Sequence, residues 1–140
     1  MNTSNVIGIT FSAFDLFHAG HVTMLKEAKE HCDYLIVALQ LDPSIERSNK
    51  NKPVQSVFER YVQLQGCKYV NEIIPYVLEE EINDILLTYD INTRFIGEEY
   101  RDKDFSGKDV CKDKGILIHY NSRKHSFSSS GLRKKIRESL

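Results

Sequence analysis

Two histidines three residues apart, His18 and His21, flank Ala19-Gly20 where a helix is expected to begin. Side chains one turn apart share a face, so both imidazoles and the unpaired N–H groups of a first helical turn point toward one place. That is an anion-binding geometry. Gly20 lets the backbone come close to a ligand, and the helix N-terminus adds a partial charge of about half a unit. The alternative is a pair of ordinary surface or capping histidines. A metal pair would lack a third ligand at helical spacing. Other polar residues collect in what read as loops: Asp42-Pro43 and the stretch from Ser48 through Lys50 and Lys52 to Pro53, then Gly97-Glu98-Glu99-Tyr100-Arg101, then Asn121 to Ser130.

Short apolar runs alternating with amphipathic stretches must position these loops. Strands are expected at Val6–Phe11, Tyr34–Leu41, Glu72–Ile74, Arg94–Ile96 and Ile116–Tyr120. They are rich in β-branched and aromatic residues with little period-2 alternation, as parallel strands covered on both faces are. Helices are expected at His21–Cys32, Val57–Gln65, Leu78–Leu87 and Lys108–Lys114, with a last one from about Gly131. That last helix sets Leu132, Ile136 and Leu140 on one face and turns Arg133, Lys134 and Arg137 away. The βα alternation implies an α/β fold, a Rossmann-like doubly wound parallel sheet of about five strands in a single domain over residues 1–140. Ligands of such a sheet sit beyond the carboxyl ends of the strands, near the topological switch point.

Composition excludes several classes. A 140-residue chain that is 41% hydrophobic and 28% charged is a globular domain, and no apolar run approaches the ~20 residues of a membrane span. Membrane insertion is therefore not expected. The opening Met-Asn-Thr-Ser-Asn lacks the positive charge of a secretory signal, so the expected compartment is cytoplasmic. A net charge of −1 offers no global attraction to nucleic acid, and the basic run Arg133-Lys134-Lys135-Ile136-Arg137 reads as a solvated helix face. Cys32, Cys67 and Cys111 form neither a disulfide framework nor a zinc knuckle and read as buried or half-buried thiols.

The element Phe14-Asp15-Leu16-Phe17-His18-Ala19-Gly20-His21 resembles the F-D-x-x-H-x-G-H motif of the cytidylyltransferase-like nucleotidyltransferases, the short glycerol-3-phosphate cytidylyltransferases above all. Arg123-Lys124-His125-Ser126-Phe127-Ser128-Ser129-Ser130 resembles the family's second element, R-x-x-x-I-S-T-T. Asp33–Ala38 and Tyr69–Pro75 resemble its second and third strands with their lead-ins. The resemblance runs nearly the whole chain in order. It implies transfer of CMP from CTP to a small phosphorylated acceptor, glycerol 3-phosphate first, with release of pyrophosphate. Other acceptors or nucleotides, and a module that senses nucleotide without turning it over, are the alternatives.

In that reading the catalytic residues are His18, His21, Arg123, Lys50 and Lys52. The nucleotide would be bound by Ser12, Ala13, Phe14, Asp15, Gly20, Gly97, Glu98, Ser128, Ser129 and Ser130. Mg²⁺ would arrive with the triphosphate, no dedicated protein metal site being legible, and the resemblance also implies a homodimer. For the serines a plain N-cap is the alternative. Asp15 would orient loop N–H groups or cap, and Arg60 would either be the family's basic residue at that place or form a surface salt bridge. Three departures stand out: Ser12-Ala13 replaces the family's Gly-Thr, Phe127 replaces a smaller apolar residue, and His125 falls where short relatives tend to have a glutamate.

Overall fold

The computed structural model describes residues 5–123 and 127–140. The alternation resolves into β1 (Ile7–Ser12), α1 (Ala19–Glu30), β2 (Tyr34–Gln40), α2 (Val57–Gln65), β3 (Glu72–Tyr76), α3 (Glu81–Thr88), β4 (Thr93–Gly97), α4 (Lys108–Lys114), β5 (Leu117–Asn121) and α5 (Ser129–Glu138). The five strands form one parallel sheet in the order β3-β2-β1-β4-β5. Winding reverses between β1 and β4. The switch point therefore lies beyond Ser12 and Gly97, where the histidine loop leaves the sheet.

Leu35 to Gln40 are buried without a break because β2 is covered on both faces. Ile9, Ile36, Ala38 and Tyr76 pack on one face against Ile82, Ile85 and Leu86 of α3 and Cys111 of α4. Val37, Leu39 and Phe95 pack on the other against Leu25 and Ala28 of α1, Leu64 of α2 and Phe14. Each such Leu or Phe contributes roughly 1.5–3 kcal/mol by leaving water. The three cysteines are free, Cys32 and Cys111 buried and Cys67 half-buried.

The boundaries differ from the sequence expectation where side chains decide them. α1 starts two residues before His21, because the imidazole of His18 is itself the N-cap. α3 starts at Glu81 rather than Leu78, since the Glu81 carboxylate accepts from the N–H groups of Val77 and Leu78 and holds a turn there. β3 continues through Pro75 to Tyr76, which an edge strand tolerates. α2 matches the expected range, closed at its start by a reciprocal pair in which Ser56 Oγ accepts from Glu59 N and Glu59 Oε1 from Ser56 N.

Candidate functional site

The loop after β1 is built around two side chains. The Asp15 carboxylate accepts from Val54 N at 2.8 Å and Gln55 N at 3.0 Å, and pairs with Arg133 of α5 at 2.8 Å. This is the loop-orienting role expected of Asp15. It also corrects the expectation that Arg133 turns away from the core. Arg60, 2% exposed, donates to the carbonyls of Ala13 at 2.9 Å, Gln40 at 2.7 Å, Leu41 at 2.6 Å and Gln55 at 3.2 Å. It is a buried clasp and not a surface salt bridge. Between these anchors Phe14 and Leu16 take φ of 51°, the left-handed region that bulky residues rarely occupy. The clasp and the carboxylate knot hold the loop in that shape without glycine.

Both histidines spend their Nδ1 atoms on backbone. His18 Nδ1 accepts from Gly20 N at 3.0 Å and His21 Nδ1 accepts from His18 N at 3.1 Å, so part of the expected set of open N–H groups is already bonded. In the neutral tautomers this requires, each ring carries its hydrogen on Nε2. The rings lie 4.0 Å apart. His18 Nε2 is 3.1 Å from Ser129 Oγ, which bonds onward to the Asp15 carbonyl. Burial, the His18 ring and Arg123 push the pKa of His21 down to about 4, so near neutral pH it is an uncharged donor. A Cβ on Gly20 would lie 2.8 Å from His18 Cε1 and 3.0 Å from the Phe127 carbonyl oxygen. This glycine makes room for the cap and for the chain at Phe127, and it lines the cleft, as its expected role in ligand approach requires.

Arg123 leaves β5 held to the 3₁₀ turn after β4. Its Nε is 3.1 Å and its terminal nitrogen 3.0 Å from the Glu99 carboxylate, and its N–H donates to Glu98 at 3.1 Å. Gly97 lies beneath this pair, a Cβ there falling 2.9 Å from Arg123. Glu27 of α1 fastens the same exit, accepting from Ser122 N and lying 2.8 Å from His119 Nε2.

A cleft of about 630 Å³ opens over the switch point, within the range usual for small-molecule sites. His18, His21, Arg123, Lys50, Ser12, Ala13, Gly20, Gly97, Ser128 and Ser129 all line it. Other expected site residues fall elsewhere. Phe14 and Asp15 line a smaller adjoining recess, where the Phe14 ring is core and its N–H is held by Ser12 Oγ at 3.4 Å. Lys52, Glu98 and Ser130 line neither cavity: Lys52 is exposed, Glu98 binds the Arg123 backbone, and Ser130 is exposed within α5. Ser128 is the N-cap of α5, accepting from Gly131 N at 3.0 Å, which is the capping alternative. Lys124, His125 and Ser126 lie outside the described residues. The sequence reading missed Gln40, Arg47, Tyr76, Glu79 and Arg94 in the cleft wall. Two left a signal, since Gln40 stands inside, and Arg94 opens, an expected strand that is otherwise apolar.

The sheet order, with the cleft at its switch point and the histidine pair in its wall, defines a Rossmann-like α/β domain. The chain belongs to the cytidylyltransferase-like family, whose description matches residues 9–135. It is 35% identical over 127 residues to the glycerol-3-phosphate cytidylyltransferase of Bacillus spizizenii, covering 90% of this chain and 93% of that protein. It is 37% identical over 102 residues to a probable ethanolamine-phosphate cytidylyltransferase of Encephalitozoon cuniculi, covering 71% of this chain and 30% of that one. It is also 31% identical over 131 residues to the bifunctional protein HldE of Granulibacter bethesdensis, covering 93% of this chain and 27% of that one. The chain thus spans less than a third of these two longer relatives. Among solved structures, the lipopolysaccharide core biosynthesis protein from Thermoplasma volcanium superposes with a TM-score of 0.70 at 23% identity, covering 87% of this chain and 100% of that one, a likeness of fold. No helix among the described residues is long and apolar enough to cross a membrane.

Proposed function

We propose that this protein transfers CMP from CTP to a small phosphorylated acceptor, glycerol 3-phosphate being the first candidate. The observation that carries the reading is that His18, His21, Arg123 and Lys50 line one cleft, with each histidine Nδ1 committed to backbone so that Nε2 carries the ring hydrogen. End-to-end similarity to short glycerol-3-phosphate cytidylyltransferases supports the acceptor. A phosphate oxygen of the acceptor forms the new bond to the α-phosphorus; the bond to the bridging oxygen breaks, and its electron pair leaves with pyrophosphate. The acceptor phosphate is largely ionised near neutral pH, its second pKa being about 6, so no general base is needed. Catalysis then rests on positioning and on neutralising charge. His21 donates from Nε2 to an oxygen that gains charge in the transition state, and His18 does so by exchanging its Ser129 Oγ partner for a substrate oxygen. Arg123 leaves Glu99 for the triphosphate, and Lys50 brings a mobile cation.

Among the described residues no group of three His, Cys, Asp or Glu is placed to hold a metal. Mg²⁺ would be held by oxygens of the triphosphate and would supply neutralisation of charge on the leaving pyrophosphate. The free thiols suit the reducing cytoplasm, where we place the reaction. The test is pyrophosphate release from CTP, ATP, UTP or GTP with Mg²⁺ and candidate acceptors. The control is His18→Asn, which keeps a capping side chain and removes Nε2. Turnover with CTP that falls at least about a hundredfold in the variant is expected. Equal rates would remove His18 from the chemistry, and silence with CTP still bound would mark a nucleotide sensor.

A further inference from the structure

The histidines occupy only one side of the cleft. Its other side is lined by Gln40 and Tyr76 at the carboxyl ends of β2 and β3, by Arg94 from near the start of β4, and by Arg47, Glu79 and Phe105, none of which the transfer chemistry uses. Gln40 is 4% exposed, yet its Nε2 has no hydrogen-bond partner. An amide left in that state costs about 1–3 kcal/mol, which an oxygen entering the cleft would recover. Tyr76 stands opposite it in the ladder. Burial raises the pKa of the Tyr76 hydroxyl, which therefore stays protonated and able to donate.

The aromatic faces of this lobe are already taken. The Arg94 guanidinium lies 4.9 Å from the Phe11 ring centroid and 5.0 Å from that of Phe105, and it donates to the Ser106 carbonyl. Phe11 meets Tyr76 edge-on at 5.7 Å, and Lys103 Nζ lies 5.9 Å from the Tyr100 centroid. The Glu79 carboxylate is held by Arg47 at 2.6 Å, and Asp104 stands exposed at the rim. A cationic head group entering this lobe would lie beside the Arg94 guanidinium and be repelled by it. The lobe instead presents a fixed cation and an unpaired amide donor, both suited to oxygen.

Building on the transferase reading, we propose that this lobe receives the acceptor's carbon skeleton and selects a polyol phosphate, a glycerol or sugar phosphate, over an aminoalcohol phosphate. Hydroxyl oxygens meet the Gln40 amide, and the acceptor phosphate faces the histidines. That phosphate attacks the α-phosphorus with the bond changes given above, so the lobe sets selectivity and KM and leaves the chemical step alone.

The test measures pyrophosphate release from CTP and Mg²⁺ with glycerol 3-phosphate, a sugar phosphate, phosphoethanolamine and phosphocholine. One polyol phosphate is expected to exceed both aminoalcohol phosphates in kcat/KM by at least about tenfold, the worth of one buried hydrogen bond. Gln40→Leu should raise that acceptor's KM about tenfold with the KM for CTP unchanged. Should Gln40→Leu not fold, Gln40→Glu, of equal size and without a donor, should give the same split. An aminoalcohol phosphate as best substrate, or an unchanged acceptor KM in the folded variant, overturns the selectivity and leaves the transferase reading standing. Silence with every acceptor overturns both.

Discussion

At the scale of single residues, His21 shows how a site can position an imidazole without charging it. Its Nδ1 is committed to the His18 N–H and the ring is packed beside Phe14, Phe17 and His18. Protonation would break the cap and bury a charge next to Arg123. An unfolded chain takes up this proton near pH 6.5, whereas the folded chain resists until about pH 4. The unfolded state therefore binds more protons between those values, and stability falls as pH drops through that window, by up to about 3 kcal/mol. Urea unfolding at pH 7.5 and 4.5 should show a larger loss for the natural chain than for His21→Asn. Equal losses would mean that the ring protonates freely. The histidine spacing was legible in the sequence, but the use of each Nδ1 was not. Which nitrogen serves the backbone depends on where Gly20 and the start of α1 come to lie, and a spacing cannot give that.

At the scale of elements, the apolar runs gave all five strands and helices because a strand buried on both faces has no polar positions to spare. The ends were less legible, since side chains reaching several residues away decide them. Arg60 is the extreme case: at the surface of a helical pattern it reads as one exposed charge among many, yet it gathers carbonyls from three segments. Arg60→Met removes those donors while filling the space, and should cost about 3–4 kcal/mol by leaving buried carbonyls unpaired. Ser56→Ala, which removes only the cap of α2, should cost about 1 kcal/mol. Chemical denaturation of both variants checks the contrast. A loss of under 1 kcal/mol for Arg60→Met would show the clasp to be dispensable.

At the scale of the whole molecule, α2 and the segment before it leave Val54, Phe58, Tyr61 and Val62 exposed, Phe58 at 71%. This surface, next to the loop that Asp15 and Arg60 organise, is where the homodimer implied by the family resemblance is to be tested. The 16.2 kDa chain should sediment as a dimer at micromolar concentration, and Phe58→Glu should shift it to monomer. A natural chain sedimenting as monomer would refute the contact. By itself the sequence determined the α/β alternation, the sheet class, the family motif and the residues of the histidine side, because local periodicity and contiguous motifs record them directly. Only the tertiary structure decided that Arg60 is a clasp, that Gly20 clears space for a ring, and that Gln40 and Arg94 face the cleft. Those roles come from parallel strands and loops tens of residues apart meeting at one edge of the sheet. Burial and hydrogen-bond partners are properties of that meeting, and no stretch of sequence contains them.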